Sequence, residues 1–214
     1  QIMRVDIPQS IKIEIKLLDK LLLLILTNYY MKGLIIAISG PPGSGTTTIG
    51  KYVAEKLNLK FFSPGLYFKK LSKEKNQSKA AMKLLKTRFG SSEALHKHID
   101  ELQIKMAEKG NIVVEGTLSI HFLKNITNLK IWLDTPLEIR AKRTSKRDRI
   151  PWKRLMNEIL ERERIERKVW KKTYGFDYFD QKNEADLVLD TSHMTVEKTV
   201  RKVLQFVKEK QFNP

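Results

Sequence analysis

The sequence predicts an α/β fold, with a five-stranded parallel sheet covered by helices on both faces. Short apolar runs alternate with longer stretches of helical periodicity from residue 34 onward. The runs are continuously apolar, as strands buried on both faces require, rather than alternating in character. A glycine-rich turn joins the first run to the first helical stretch. Strands separated by helices pair in parallel, because each helix serves as the crossover connection.

The elements follow in order. Residues 34–39 form the first strand, 46–57 the helix after the turn, and 60–62 a brief second strand. Residues 66–73 and 91–108 read as helices, 112–115 and 129–133 as strands, and 136–146 and 152–171 as helices. Residues 187–189 are the last strand and 196–208 the last helix. The 214 residues are 41% apolar and 30% charged, which suits one domain with a buried core.

Residues 1–30 stand apart as an N-terminal extension to a domain over 31–214. Ile11, Ile13 and Ile15 alternate with Lys12, Glu14 and Lys16, a strand pattern, and 17–26 reads as a short helix. Met31 is a candidate native start; an added edge element or a dimer contact is the alternative. N-terminal sequencing of the native protein decides, and a start before Met31 refutes the first idea.

The net charge of +17 implies anionic partners, either nucleic acid or small phosphorylated molecules. With no cysteine, disulfides, thiolate zinc sites and thiol catalysis are excluded, and a cytoplasmic location fits. His96 and His98 are two residues apart and do not share a helix face, so a histidine metal site is not expected. The most apolar run, 21–26, is far below the roughly 18 residues a membrane span needs.

Chemistry concentrates first in Gly40-Pro41-Pro42-Gly43-Ser44-Gly45-Thr46-Thr47, between a strand and a helix. That context is the one a phosphate-binding P-loop requires. Glycines let the backbone wrap with its N–H groups pointing inward, and the helix adds its positive N-terminal end. Thr47 holds the position whose hydroxyl ligates Mg²⁺, while Thr46 stands where the pattern has Lys. The alternative is a glycine-rich turn with no phosphate. Glu115 closes the strand 112–115 and is placed to hold Mg²⁺ or its waters, unless it is an ordinary strand-end acid. Asp134 ends the next strand and reads as a helix N-cap.

Phosphoryl transfer depends on positioning and positive charge, so convergent arginines matter. Arg140, Arg143 and Arg147 recur at spacings of three and four on one helix face, and Asp148-Arg149-Ile150-Pro151 breaks that helix. A hinged lid and a solvated basic face are both compatible with this. In the next helix Leu155, Ile159, Arg162, Glu166 and Val169 make one stripe, so Arg162 and Glu166 lie inside an inward-facing arc. Charges there are costly unless they pair or bind something.

From residue 34 to about 206 the chain resembles the nucleoside monophosphate kinases, and most closely the archaeal-type cytidylate kinases. The residues that carry the resemblance are Ile38-Ser39 running into the glycine-rich turn as far as Thr48, Ser63-Pro64-Gly65, Val113-Val114-Glu115-Gly116 and Tyr174-Gly175-Phe176-Asp177. Thr in place of the P-loop Lys is familiar in that family. The resemblance implies a P-loop NTPase fold with an acceptor-binding region over about 63–109 and a lid over about 143–151. It implies ATP with Mg²⁺ as donor and CMP or dCMP as acceptor. Carried over, ATP binding falls to Gly40, Pro41, Pro42, Gly43, Ser44, Gly45, Thr46, Thr47 and Thr48. Acceptor binding falls to Ser63, Gly65, Lys69, Gly116, Arg162 and Glu166. The resemblance further implies Arg143, Arg147 and Arg162 as catalytic residues, and Thr47 with Glu115 as metal ligands.

Three departures fall on the acceptor side: Lys69, Thr117 and Val169 stand where the family usually has Arg. Lys keeps the charge but loses the bidentate fork. Two rivals therefore stay open: an adenylate-kinase-like or other acceptor for the same chemistry, and a non-catalytic protein that binds nucleotide or nucleic acid. Trp152 and Trp170 are expected to pack in a core rather than stack on bases. The partners expected are small-molecule nucleotides and no membrane, with monomer and homodimer both open.

Overall fold

A computed structural model describes residues 33–72 and 93–212, together with Gln9, Leu17 and Leu18. The chain divides into two compact units, Gln1–Lys32 and Gly33–Pro214. In the first, Leu17 and Leu18 are helical and exposed. The strand expected at 11–16 lies outside the described residues, as does the rest of the expected helix.

In the second unit β1 (Ile35–Ser39) is buried at every position. It pairs in parallel with β3 (Ile112–Glu115) on one side and β4 (Leu129–Asp134) on the other. β2 (Lys60–Phe62) and β5 (Leu187–Asp190) complete the parallel sheet in the order β2-β3-β1-β4-β5. Ile36, Ile38, Val113, Val114, Ile131 and Leu133 are fully buried. Each such side chain contributes roughly 1.5–3 kcal/mol, so the central strands fix the sheet and with it the loops at its C-terminal edge. Ligands of open α/β sheets bind at that edge.

Among the described residues the helices are α1 (Thr46–Lys56), α2 (Pro64–Ser72), α3 (Glu93–Ala107), α4 (Ser119–Leu123), α5 (Leu137–Asp148), α6 (Trp152–Tyr174), α7 (Gln181–Glu184) and α8 (Val196–Phe212). α6 packs on α5, and α1 lies on β3 and α8. The expected break between α5 and α6 is real. Arg149 is left-handed at φ 56° and closes α5, and Pro151 opens α6. Gly175, at φ 80°, ends α6 in the left-handed conformation that glycine adopts without penalty.

Several expectations need correction. Asp134 does not cap α5, which begins at Leu137 with Pro136 at the cap position and no side-chain cap. Its carboxylate instead accepts from Lys182 Nζ at 2.6 Å. Trp170 is buried against Tyr178, edge-to-face at 5.2 Å, but Trp152 is only half-buried under the Lys142 and Lys153 ammonium groups. α2 starts two residues earlier than its periodicity indicates. Ser63 caps it by accepting from the Leu66 N–H at 3.2 Å, and Pro64 fills the first helical position. α4, α7 and the 3₁₀ turn Tyr178–Asp180 have no periodic signal long enough to read.

Candidate active site

The turn after β1 wraps as its glycines allow. Gly43 and Gly45 take φ of 85° and 97°, and the Ser44 N–H donates to the Pro41 carbonyl at 3.1 Å. A Cβ on Gly40 would lie 2.7 Å from the Leu133 carbonyl oxygen. Any side chain there would push the turn off β4. The start of α1 follows directly, so its free N–H groups face the space the turn encloses.

That space is a cavity of about 550 Å³. Its walls come from the glycine-rich turn, the start of α2, one face of α3, the loop after β3, α5, α6 and the segment after β5. All nine residues from Gly40 to Thr48 line it. Gly65, Gly116, Arg143, Arg147, Arg162, Glu115 and Glu166 line it too. Ser63 and Lys69 do not appear in its lining. The buried Ser63 hydroxyl caps α2 and sits beside Glu115. Of the departures, Thr117 lines the cavity, whereas Val169 packs on the apolar core.

Glu115 is the acidic centre. Thr46 donates from Oγ1 to Glu115 Oε1 at 2.6 Å, so the side chain at the usual Lys position ties the start of α1 to the end of β3. Burial raises the Glu115 pKa, opposed by the nearby hydroxyls of Thr46, Ser63 and Thr47 and by the Arg162 charge. Its Oε2 is buried and makes no hydrogen bond. That oxygen, with the Thr47 hydroxyl, is a donor set suited to a hard divalent cation. Among the described residues no group of three or more His, Cys, Asp or Glu gathers to hold a metal. An ion held at Glu115 and Thr47 would therefore take its remaining ligands from phosphate and water.

On α6, Arg162 Nε donates to Glu166 Oε1 at 2.7 Å, with side chains 12% and 2% exposed. The expected inward stripe is thus real, and Leu155 and Ile159 are buried beside it. Burial raises the Glu166 pKa, and the Arg162 charge and hydrogen bond oppose the rise.

The three α5 arginines divide their work. Arg140 is buried and lies outside the cavity lining. It donates to the Thr135 and Pro42 carbonyls, each at 2.8 Å, and to Glu163 Oε1 at 2.6 Å. It braces the glycine-rich turn against α6. Arg143 donates to Thr191 Oγ1 at 2.9 Å and to the Thr191 and Met194 carbonyls, holding the segment after β5. Arg147 is ion-paired with Asp148 and more than half exposed.

Sequence reasoning missed a second polar row. Ser39, fully buried, donates to the Gly116 carbonyl at 2.7 Å and accepts from the Ile120 N–H at 3.1 Å, which fixes the loop after β3. Gln181 holds the next carbonyl, of Thr117, at 2.8 Å. From α3, Asp100 and Gln103 also line the cavity. Burial pushes the Asp100 carboxyl up to about 7, against hydrogen bonds from Tyr174 and Gln103 that lower it. One signal was available: His96, Ile99, Asp100, Gln103 and Ala107 share one face of α3, and Asp100 is a charge inside it.

A profile of the cytidylate kinase-like family matches residues 35–193. A cytidylate kinase of Methanocaldococcus jannaschii is 40% identical over 171 residues, covering 77% of this chain and 92% of its own. One from Staphylothermus marinus is 33% identical over 175 residues, covering 82% and 97%. Among solved structures, a shikimate kinase of Acinetobacter baumannii bound to shikimate superposes with a TM-score of 0.57 at 15% identity. It covers 86% of this chain and 97% of its own, and at that identity it supports the fold alone. On the profile match and the curated relatives, the chain belongs to the cytidylate kinase-like family.

Proposed function

We propose that this protein transfers the γ-phosphoryl group of ATP to CMP or dCMP, giving CDP or dCDP. One observation carries the reading: the glycine-rich turn, Glu115 and the Arg162–Glu166 pair converge on a single cavity. The backbone N–H groups of residues 40–48 cradle the donor phosphates. Arg162 sits where the transferred group passes, and Glu166 fixes its orientation through the 2.7 Å bond. Arg147 and Arg143 approach from α5. Fixed cations held in place by the protein stabilise the charge of the moving phosphoryl group more than water does. Thr47 and Glu115 would hold Mg²⁺, which supplies charge neutralisation at the phosphates. The cytidylate kinase names of the relatives support CMP as acceptor. Lys69 and Val169, two of the departures from the family, stand outside the cavity lining and so need not alter acceptor choice. We place the reaction in the cytoplasm, in keeping with a nucleotide substrate and a chain without cysteine.

The test is ADP release from ATP and Mg²⁺ with CMP, dCMP, UMP, AMP, GMP or no acceptor. Turnover dependent on CMP or dCMP supports the proposal. Turnover with another monophosphate keeps the kinase and moves its specificity. ATP binding without acceptor-dependent turnover rejects the enzymatic reading.

A further inference from the structure

The α3 wall of the cavity carries three polar side chains that the phosphate chemistry does not use, His96, Asp100 and Gln103. Asp100 and Gln103 are 9% and 2% exposed. They form a directed chain. Ser119 Oγ donates to Gln103 Oε1 at 3.0 Å, Gln103 Nε2 donates to Asp100 Oδ1 at 3.2 Å, and the Tyr174 hydroxyl donates to Asp100 Oδ2. Each carboxylate oxygen thus accepts one hydrogen bond from the protein. An ionised carboxylate offers about four lone-pair sites and a primary amide two N–H groups. About two acceptor sites on Asp100 and one N–H on Gln103 remain beyond these bonds. Buried groups of this kind are costly unless a partner completes them.

The missing partner has a definite chemistry. A negative carboxylate repels phosphate, and the arginines stand elsewhere on the cavity wall, so the acceptor's phosphate lies toward Arg162 and its base toward α3. Phe68 and His96, with ring centroids 6.0 Å apart, line the cavity beside Asp100 and offer apolar faces to a flat ring. An acceptor site next to an N–H donor complements the cytosine edge, where the exocyclic amine donates and ring N3 accepts. Uracil reverses both, presenting a carbonyl and an N–H. With sugar and phosphate held at Arg162, the base is not free to slide into another register.

We infer that Asp100 and Gln103 are the specificity-determining pair of the acceptor pocket, Asp100 accepting from the cytosine exocyclic amine and Gln103 donating to ring N3. Ser119 and Tyr174 are positioning residues that aim the pair. The inference rests on the proposed CMP kinase activity. Burial lifts the Asp100 carboxyl to about 7 in spite of two donors, as expected of a site short of the donor a ligand would bring.

The experiment compares kcat and KM for CMP and UMP in the full chain and in Asp100→Asn, whose amide both accepts and donates. It also measures calorimetric binding of CMP, UMP and N4,N4-dimethyl-CMP to the unaltered protein, which needs no variant to fold. The expected result is a CMP-over-UMP ratio that falls at least about tenfold in Asp100→Asn, through the KM for CMP, with the KM for ATP within about twofold. Dimethylation of the amine should weaken binding by at least about tenfold. If the unaltered protein phosphorylates CMP but the ratio and the dimethyl penalty both stay within about twofold, the pair does not read the base and the kinase stands. If the unaltered protein phosphorylates no monophosphate, both readings fall.

Discussion

Arg140→Ala should destabilise the fold by about 3–5 kcal/mol. The magnitude follows from burial. Arg140 and Glu163 side chains are 5% and 11% exposed and meet at 2.6 Å, so this is not a surface pair of the kind that contributes 0–1 kcal/mol. Truncation leaves the Glu163 carboxylate without its cation and two carbonyls, of Pro42 and Thr135, without their donor. For a chain of 214 residues, each kcal/mol moves the midpoint by about 2–4 °C, so the melting temperature should drop by about 6 to 20 °C. Circular dichroism on heating measures it. Because Pro42 belongs to the glycine-rich turn proposed to hold the donor phosphates, the KM for ATP should rise in the same variant at a temperature where it remains folded. The double variant Arg140→Met with Glu163→Leu removes both charges and should recover much of the stability. A loss below about 1 kcal/mol in Arg140→Ala, or a double variant no more stable than the single one, would refute the brace.

Arg162→Ala should lower kcat by orders of magnitude, since in the proposed reaction it removes a fixed cation from the transferring group; unchanged steady-state kinetics reject that role. Asp100 makes stability depend on pH. Its pKa rises from 3.8 unfolded to about 7 folded, so its contribution is fully present below about 4 and is lost as pH climbs to about 7. At about 1.4 kcal/mol per unit the loss is at most about 4 kcal/mol. Asp100→Asn, free of this penalty, should gain stability over the unaltered nucleotide-free protein between pH 5 and 8 in urea titrations. A constant difference across that range contradicts the sign or the burial.

Local rules made much of the fold legible. The apolar run of β1, the glycines after it and the start of α1 lie within one short segment, where spacing alone carries the signal. Arg162 and Glu166 were readable for the same reason, being four apart on a stripe with Leu155 and Ile159. What stayed hidden depends on distant partners. Gln181 acts through Thr117, 64 residues away, and Arg140 through Pro42, 98 residues away. Arg140 shared its face with Arg143 and Arg147, and periodicity cannot tell a buried brace from a cation facing a ligand. α4 and α7 are too short to show a period and are held by neighbours, as when the His121 N–H donates to Gln181 Oε1. Tyr174 was legible as part of a motif, but its bond to Asp100, 74 residues earlier, was not.

In the proposed reaction one cavity brings ATP and CMP together for direct transfer. Incubation with γ-labelled ATP, Mg²⁺ and CMP, followed by chromatography of the nucleotides, tests it. Direct transfer should put label in CDP, rising as ATP is consumed and abolished by Arg162→Ala. Label released only as inorganic phosphate, with CMP unchanged, would contradict it.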